Sequence, residues 1–325
     1  ADVDSATLAS LTATLAARPD GDAVESLALN AAATAAAGGL TVSYTAATGV
    51  LSITGSATVA TYQTILQGIQ YSNTSDAPNT GNRTVTVVAN DGALPSVAAI
   101  STVTVTAVND APVADLNAGG AGQDVTVAFT EQTPVLVAPA GTLADVDSAT
   151  LASLTATLAA RPDGNAVESL ALNAAATTAA SGLTVSYTAA TGVLSITGSA
   201  SVATYQTILQ GIQYNNTSDA PTTSNRTVTV VAHDGALPSA TATSTVTVAA
   251  VNDAPVADLN AGGGGLDVTV AFTEQTPVLI APVATLADVD TANLASLTAT
   301  LAGRPDGDAV ESLALNAAAT TAASG

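Results

Sequence analysis

The chain has 325 residues, with 26 acidic side chains against five arginines and no lysine, a net charge of −21, one histidine and no cysteine, methionine or tryptophan. Such acidity repels nucleic-acid backbones and anionic membrane surfaces. The missing Cys and Lys and the single His remove disulfide frameworks, zinc sites, Schiff-base chemistry and His-based triads.

No apolar run is long enough to offer a membrane span. The opening Ala1-Asp2-Val3-Asp4 carries no signal pattern and reads as the middle of something longer. It recurs as Ala144-Asp145-Val146-Asp147 and Ala287-Asp288-Val289-Asp290, a period of 143 residues. Residues 1–143 and 144–286 align without a gap and differ at 17 positions, among them Asp22/Asn165, Asn90/His233 and Gln123/Leu266; 287–325 begin a third copy. A solenoid unit runs to about 20–50 residues. Each copy is therefore expected to be a domain with its own core, on a window of a longer array. Val108-Asn109-Asp110-Ala111-Pro112 and Val251-Asn252-Asp253-Ala254-Pro255 read as linkers, because each follows a strand and ends in a proline that stops ladder pairing. They place one repeat lacking its first strands at 1–110, a complete repeat at 111–253 and the start of a third at 254–325.

In the complete copy, Val125 to Phe129 is the first strand, with period-two patterning, and Val135 to Val137 is expected to continue that edge after Pro134. Leu151 to Leu158 and Glu168 to Asn173 follow as strands. Leu183 to Tyr187 and Val193 to Thr197 flank a Gly-containing loop and read as a hairpin. Residues 202–213 break the pattern: Val202, Tyr205, Ile208 and Leu209 share one helical face, and Gly211 ends it. Arg226 to Ala232 and Ser244 to Ala249 close the unit. The expectation is an all-β fold of tandem Ig-like Greek-key β-sandwich domains, each with one short helix, arranged end to end.

The run Arg83 to Gly92, then Leu94-Pro95-Ser96, Thr102 to Val105 and Val108 to Pro112 resembles the last two strands and linker of a cadherin repeat, and the second copy carries it from Arg226 to Pro255. Together with Phe129-Thr130-Glu131 and Asp145-Val146-Asp147, it is similar to the cadherin-like repeats of giant bacterial surface adhesins of the RTX type. The match covers the two ends of each unit; the centre, roughly 163–215, is less telling, and the unit is longer than a cadherin domain. The resemblance implies calcium, a hard cation that takes six to eight oxygens from several segments, held between successive domains. At the first junction it implies Asn109, Asp110, Asp145, Asp147 and Asp234, with Asp76 from the preceding domain. At the second it implies Glu131, Asp219, Asn252, Asp253, Asp288 and Asp290. The sequence departs from the family at Ala107 and Ala250, where an acid is expected, and at Asp76-Ala77-Pro78, where an acidic pair is reduced to one. Fewer carboxylates imply weaker binding.

Each site has a plainer reading. Asp145 and Asp147 could cap their own turn, Asn109-Asp110 could be a linker turn, and Asp20-Gly21-Asp22 after Arg18-Pro19 reads as a structural turn. His233 stands where the other copy has Asn90, so neither catalysis nor ligation is expected of it. Paired carboxylates can hydrolyse glycosides, but sugar platforms are nearly absent with six Tyr and two Phe, and an enzyme is not expected. The Asn-x-Ser/Thr sequons at Asn73, Asn82, Asn216 and Asn225 are expected by chance in so Thr-rich a chain. The Gly262 to Gly265 run precedes no Lys-bearing helix and is no phosphate cradle. The functional expectation is a structural segment of a long extracellular adhesin or surface fibre, a calcium-stiffened spacer whose partners are neighbouring repeats. The alternatives are a filament or surface layer of identical chains, and a module that binds polysaccharide or protein along its flank; Tyr44, Tyr62 and Tyr71 could supply the aromatic cluster this needs, but their spacing fits core packing better.

Overall fold

The computed structural model describes residues 6–324; the Asp2/Asp4 copy of the acidic motif lies outside them. The first unit contains β1 (Thr7–Leu15), β2 (Glu25–Leu29), α1 (Ala31–Ala36), β3 (Thr41–Thr45), β4 (Val50–Thr58), α2 (Val59–Gln67), β5 (Ile69–Asn73), β6 (Arg83–Asn90) and β7 (Ala99–Val103). The middle unit adds β8 (Val113–Asp115), β9 (Val125–Thr130), β10 (Val135–Leu136) and β11 (Thr142–Ala144) before repeating the series. That series is β12 (Thr150–Leu158), β13 (Glu168–Leu172), α3 (Ala174–Ala179), β14 (Thr184–Thr188), β15 (Val193–Ser201), α4 (Val202–Gln210), β16 (Ile212–Asn216), β17 (Arg226–His233) and β18 (Ala242–Ala249). Among the described residues after it stand β19 (Val256–Asp258), β20 (Thr285–Ala287) and α5 (Ala317–Ser324).

The fold is all-β sandwich. In the middle unit a six-stranded sheet, ordered β14-β15-β12-β17-β18-β9, faces a three-stranded sheet, β10-β16-β13. Alternation along the strands decides what lies between them. On β17, Arg226, Val228, Val230 and Ala232 point inward, and on β18 Ala242, Ser244, Val246 and Val248 do the same. They meet Leu154, Ala156, Leu158, Ile196 and, from the smaller sheet, Leu170 and Tyr214 in one continuous core. Only β18 and β9 run parallel; all other neighbours in the unit are antiparallel.

Two details differ from the sequence reading. First, the segment after Pro134 does not prolong the edge of β9: β10 pairs with β16, in the opposite sheet. The chain crosses between sheets at Thr130 to Thr133, where Gln132 takes a left-handed backbone (φ 59°). Secondly, the unit holds two short helices. Asn173 caps α3 by accepting from Ala176 N at 2.9 Å, and the Ala-rich run behind it is a strong helix former. The expected helix ends at Gln210, and Ile212 to Asn216 is strand. Gly211 makes the junction possible: a Cβ there would lie 2.3 Å from Ala176 Cβ and 2.6 Å from Asn173 Oδ1.

Candidate cation-binding junctions

The richest polar cluster lies inside the sandwich. Arg226 occupies an inward position of β17 and is fully buried. Its Nε donates to Glu168 Oε2 at 2.7 Å and its Nη2 to Asp163 Oδ2 at 2.6 Å, while Nη1 reaches the carbonyls of Thr222 and Ser224. Glu168, also fully buried, accepts from Tyr214 Oη and from Asp163 N. Asp163 closes the ring by accepting from Asn216 Nδ2. Arg83, Glu25, Asp20 and Tyr71 repeat this in the first unit. The Asp20 turn is thus structural, as read, but it also anchors a buried ion pair that sequence reasoning missed. The available signal was arginine scarcity: all five sit at two repeat-fixed positions, 18/161/304 and 83/226.

Burial alone would push the Asp163 carboxyl up; the Thr222 hydroxyl and amide, Asn216 and the Arg226 charge together hold it below the ordinary 3.8. A lowered carboxyl stabilises fully above the unfolded value and loses that contribution as pH falls through the folded one. Unfolding measured against pH should therefore show stability falling away below 3.8. In Thr222→Val, with one donor gone, that fall should be shallower; an unchanged acid limb would contradict the assignment.

The acidic residues of the first junction gather at the start of the middle unit. Asn109 Nδ2 donates to Asp234 Oδ2 at 2.7 Å, bridging 125 positions of chain. Asp110 N donates to Asp147 Oδ2 at 3.1 Å, and Asp147 N and Ser148 N donate to Asp145 Oδ1 at 3.2 and 2.8 Å. Asp234 also accepts from Ala236 N and Leu237 N. The Asn109 amide first, then those main-chain donors, hold its carboxyl below the carboxylate range. Asp145 goes the other way: burial pushes its carboxyl up, and the adjoining Asp147 adds to the push. Asp76, exposed, makes no hydrogen bond or ion pair with any of these groups.

At the second junction Asp253 N donates to Asp290 Oδ2 at 2.6 Å and Asp290 N to Asp288 Oδ1 at 3.0 Å. Asn252 Nδ2 turns back onto the carbonyl of Asp253. Glu131 is buried, and its Oε2 accepts from Val251 N at 2.8 Å, which brings it to the linker. Asp219 is held by Gln132 Nε2, not by the Asp288/Asp290 motif. A shallow recess between them is lined by Ala220, Pro221, Ala250, Val251, Asn252 and Asp290.

Among the described residues, three buried side-chain oxygens have no hydrogen-bond partner: Asn117 Oδ1 in a loop, and Asp145 Oδ2 and Asp253 Oδ2, one in each junction network. A buried carboxylate oxygen without a donor is costly and calls for a water or an ion. The donor set, carboxylates with carbonyl and amide oxygens, is that of a hard cation. No three His, Cys, Asp or Glu side chains among the described residues converge as a group on their own, so main-chain and amide oxygens would have to complete any shell. The residues present fit calcium in kind, with few carboxylates.

The tyrosines weighed for a binding flank are used internally, as their core-packing spacing suggests: Tyr62 is buried and donates to Gly55 O, while Tyr44 and Tyr71 donate to Glu25. The sequon at Asn216 is closed, its side chain fully buried on Asp163. No helix among the described residues is long and apolar enough to cross a membrane.

No protein-family model matches the chain, and no curated protein does. Among solved structures, it is similar to the C-terminal domain of the Streptococcus pyogenes antigen I/II-family protein AspA (8% identity, TM-score 0.26, covering 74% of this chain and 84% of that one). It is also similar to human CDH23 EC21-23 (18% identity, TM-score 0.31, 78% and 66%). Protocadherin Gamma B2 extracellular cadherin domains 1-5 match at 15% identity and TM-score 0.29, covering 70% and 33%. At these scores any functional reading rests on the chain's own residues.

Proposed function

We propose that the chain is a spacer segment of a long extracellular array of β-sandwich repeats, part of a bacterial surface adhesin or fibre, whose junctions are stiffened by calcium. The observation that carries this reading is the pair of buried, unpartnered carboxylate oxygens, Asp145 Oδ2 and Asp253 Oδ2, one at each junction. Asp145 and Asp147 would hold the ion at the first, with Asp110, Asp234 and the Asn109 amide closing round it. Asp253, Asp288, Asp290 and Glu131 would do so at the second, with Asn252 beside them and Asp219 reached through Gln132; Asp76 contributes nothing in the arrangement described. When bound, calcium supplies the positive charge these groups lack. Without it, the carboxylates repel and the linkers flex. The near-identity of the copies suits a molecule whose working variable is length.

The test is small-angle scattering and thermal melting of the chain in millimolar calcium and in chelator. A cation at 100 times its dissociation constant adds about 2.7 kcal/mol per site, a rise of about 5–10 °C for a unit of this size. Asp145→Asn should lose most of that calcium-dependent rise while melting no lower than the parent in chelator, because it removes a buried charge. Identical curves with and without calcium would leave a rod held by packing alone.

A further inference from the structure

The two main sheets of the middle unit have four outer edges, and three of them are guarded. β9 has Asp124 before it and Glu131 after it. β10 is two residues long and follows Pro134. β13 turns the charge of Glu168 inward, onto Arg226. Charged side chains, short strands, prolines and inward-pointing charges are the devices that keep open edges from pairing. β14, at the fourth edge, carries none of them. Thr184-Val185-Ser186-Tyr187-Thr188 has β15 as its one strand neighbour among the described residues. In the first unit β3 holds the same place with the same five residues.

The sequence around that edge is as unusual as the edge itself. No charged residue occurs from Ser169 to Ser218, or from Ser26 to Ser75, in a chain of net charge −21. These runs build α3, β14, β15, α4 and β16 and their counterparts, which therefore add nothing to the acidity that holds copies of the chain apart. The ionised group that reaches this hairpin, Arg161 on Ala190 O, is cationic and lies beyond the end of β14. Val185 and Tyr187 stand opposite the buried Ile196 and Leu194, so they face the interior. Val185 is nonetheless 42% exposed, and Val42 in the first unit 41%. The apolar face of the sheet is left uncovered at its rim, where a groove in the first unit runs past Leu29, Leu40, Val42 and Tyr44.

We propose that β14 pairs antiparallel with β14 of a second copy, joining two units into one sheet across a twofold axis at Ser186, and that β3 does the same about Ser43. What names the partner is the strand itself. Turned about its central serine, Thr-Val-Ser-Tyr-Thr sets Thr184 against Thr188, Val185 against Tyr187 and Ser186 against its own copy. Each half-exposed Val is then covered by the partner's Tyr on the inner face, and the threonines meet on the outer one. Aromatic–β-branched pairs and threonine pairs both stabilise neighbouring strands. Main-chain hydrogen bonds along the edge supply the rest of the affinity. The contact is isologous and closes at each strand. One chain carries it twice, so association extends beyond two chains wherever β3 and β14 take different partners. This goes beyond the spacer reading and needs no cation.

The experiment is sedimentation of the 325-residue chain over a concentration series in chelator, at low and high salt. Association that rises with concentration and with salt, which screens the repulsion between copies, is expected. Ser43→Glu with Ser186→Glu should abolish it, because the twofold axis sets each glutamate against its own copy, and like charges directly opposite destabilise. Ser43→Lys with Ser186→Lys should abolish it likewise. Both serines are exposed, so the two variants stay folded, which their melting temperatures check. An equal mixture of the two should associate again through Glu–Lys pairs across the same seam. Both variants remain strongly acidic overall, so renewed association reports the seam and not the net charge. A parent monomeric at every concentration, association untouched by the glutamates, or a mixture no more associated than either variant alone would each overturn the proposal.

Discussion

Replacing Arg226 by alanine should lower the stability of the middle unit by about 3–5 kcal/mol, because breaking a buried ion pair leaves its partner charged and alone. The partner is Glu168, fully buried, with its Oε2 shared between Arg226 Nε and Tyr214 Oη. The loss reaches further: Arg226 also pins Asp163 and the carbonyls of Thr222 and Ser224, so the 161–165 turn and the loop before β17 lose their common anchor. Chemical denaturation followed unit by unit would read the effect, with the first unit, built on Arg83, as an internal reference. Arg226→Met with Glu168→Gln should recover part of the loss, since removing both charges spares the uncompensated carboxylate. If Arg226→Ala unfolds at the parent's denaturant concentration, the network is not what holds the two sheets together.

Phe129→Ala should cost the same unit about 3–5 kcal/mol, the range for deleting a buried aromatic side chain. Phe129 is the large side chain of a strand whose only ladder neighbour is β18, and its ring contact with Tyr214 ties the six-stranded sheet to the three-stranded one. Without it, β9 keeps its six backbone pairs, the half-buried Val125 and Val127 and the Thr243–Asp124 bond, but loses its largest buried side chain, and the crossing at Gln132 loosens with it. Limited proteolysis should then cut first between residues 119 and 133, with β12 and β17 still protected. Cleavage elsewhere, or a melting point within a degree or so of the parent, would show that β9 is held by its ladder and not by its aromatic anchor.

Much of this fold was legible in the chain because inward residues alternate along long strands: the runs at 151–158, 193–197, 226–232 and 244–249 all fall within observed strands. The second helix was not. Six residues are too few to display a 3.6-residue period, and the cue was local: Asn173 before an Ala-rich run. Nor could sequence say that β10 joins the opposite sheet, since Pro134 announces a break and not a destination. The buried arginine hid for the opposite reason. Read along β17 it simply starts an alternating run, and only its partners Glu168 and Asp163, 58 and 63 positions away, make its burial tolerable. The junction residues were named by motif. That Asn109 grips Asp234 and that Asp219 goes to Gln132 are facts of tertiary approach.

The parallel run of β9 against β18 has a mechanical meaning. One strand stands near the entrance of the unit's chain and the other near its exit, and they point the same way over six residue pairs. Tension applied between the two ends slides one strand along the other. The load then falls on all the rungs of that ladder together, where an antiparallel pair pulled from one end would open rung by rung. Each unit so built resists extension until its whole terminal ladder shears at once.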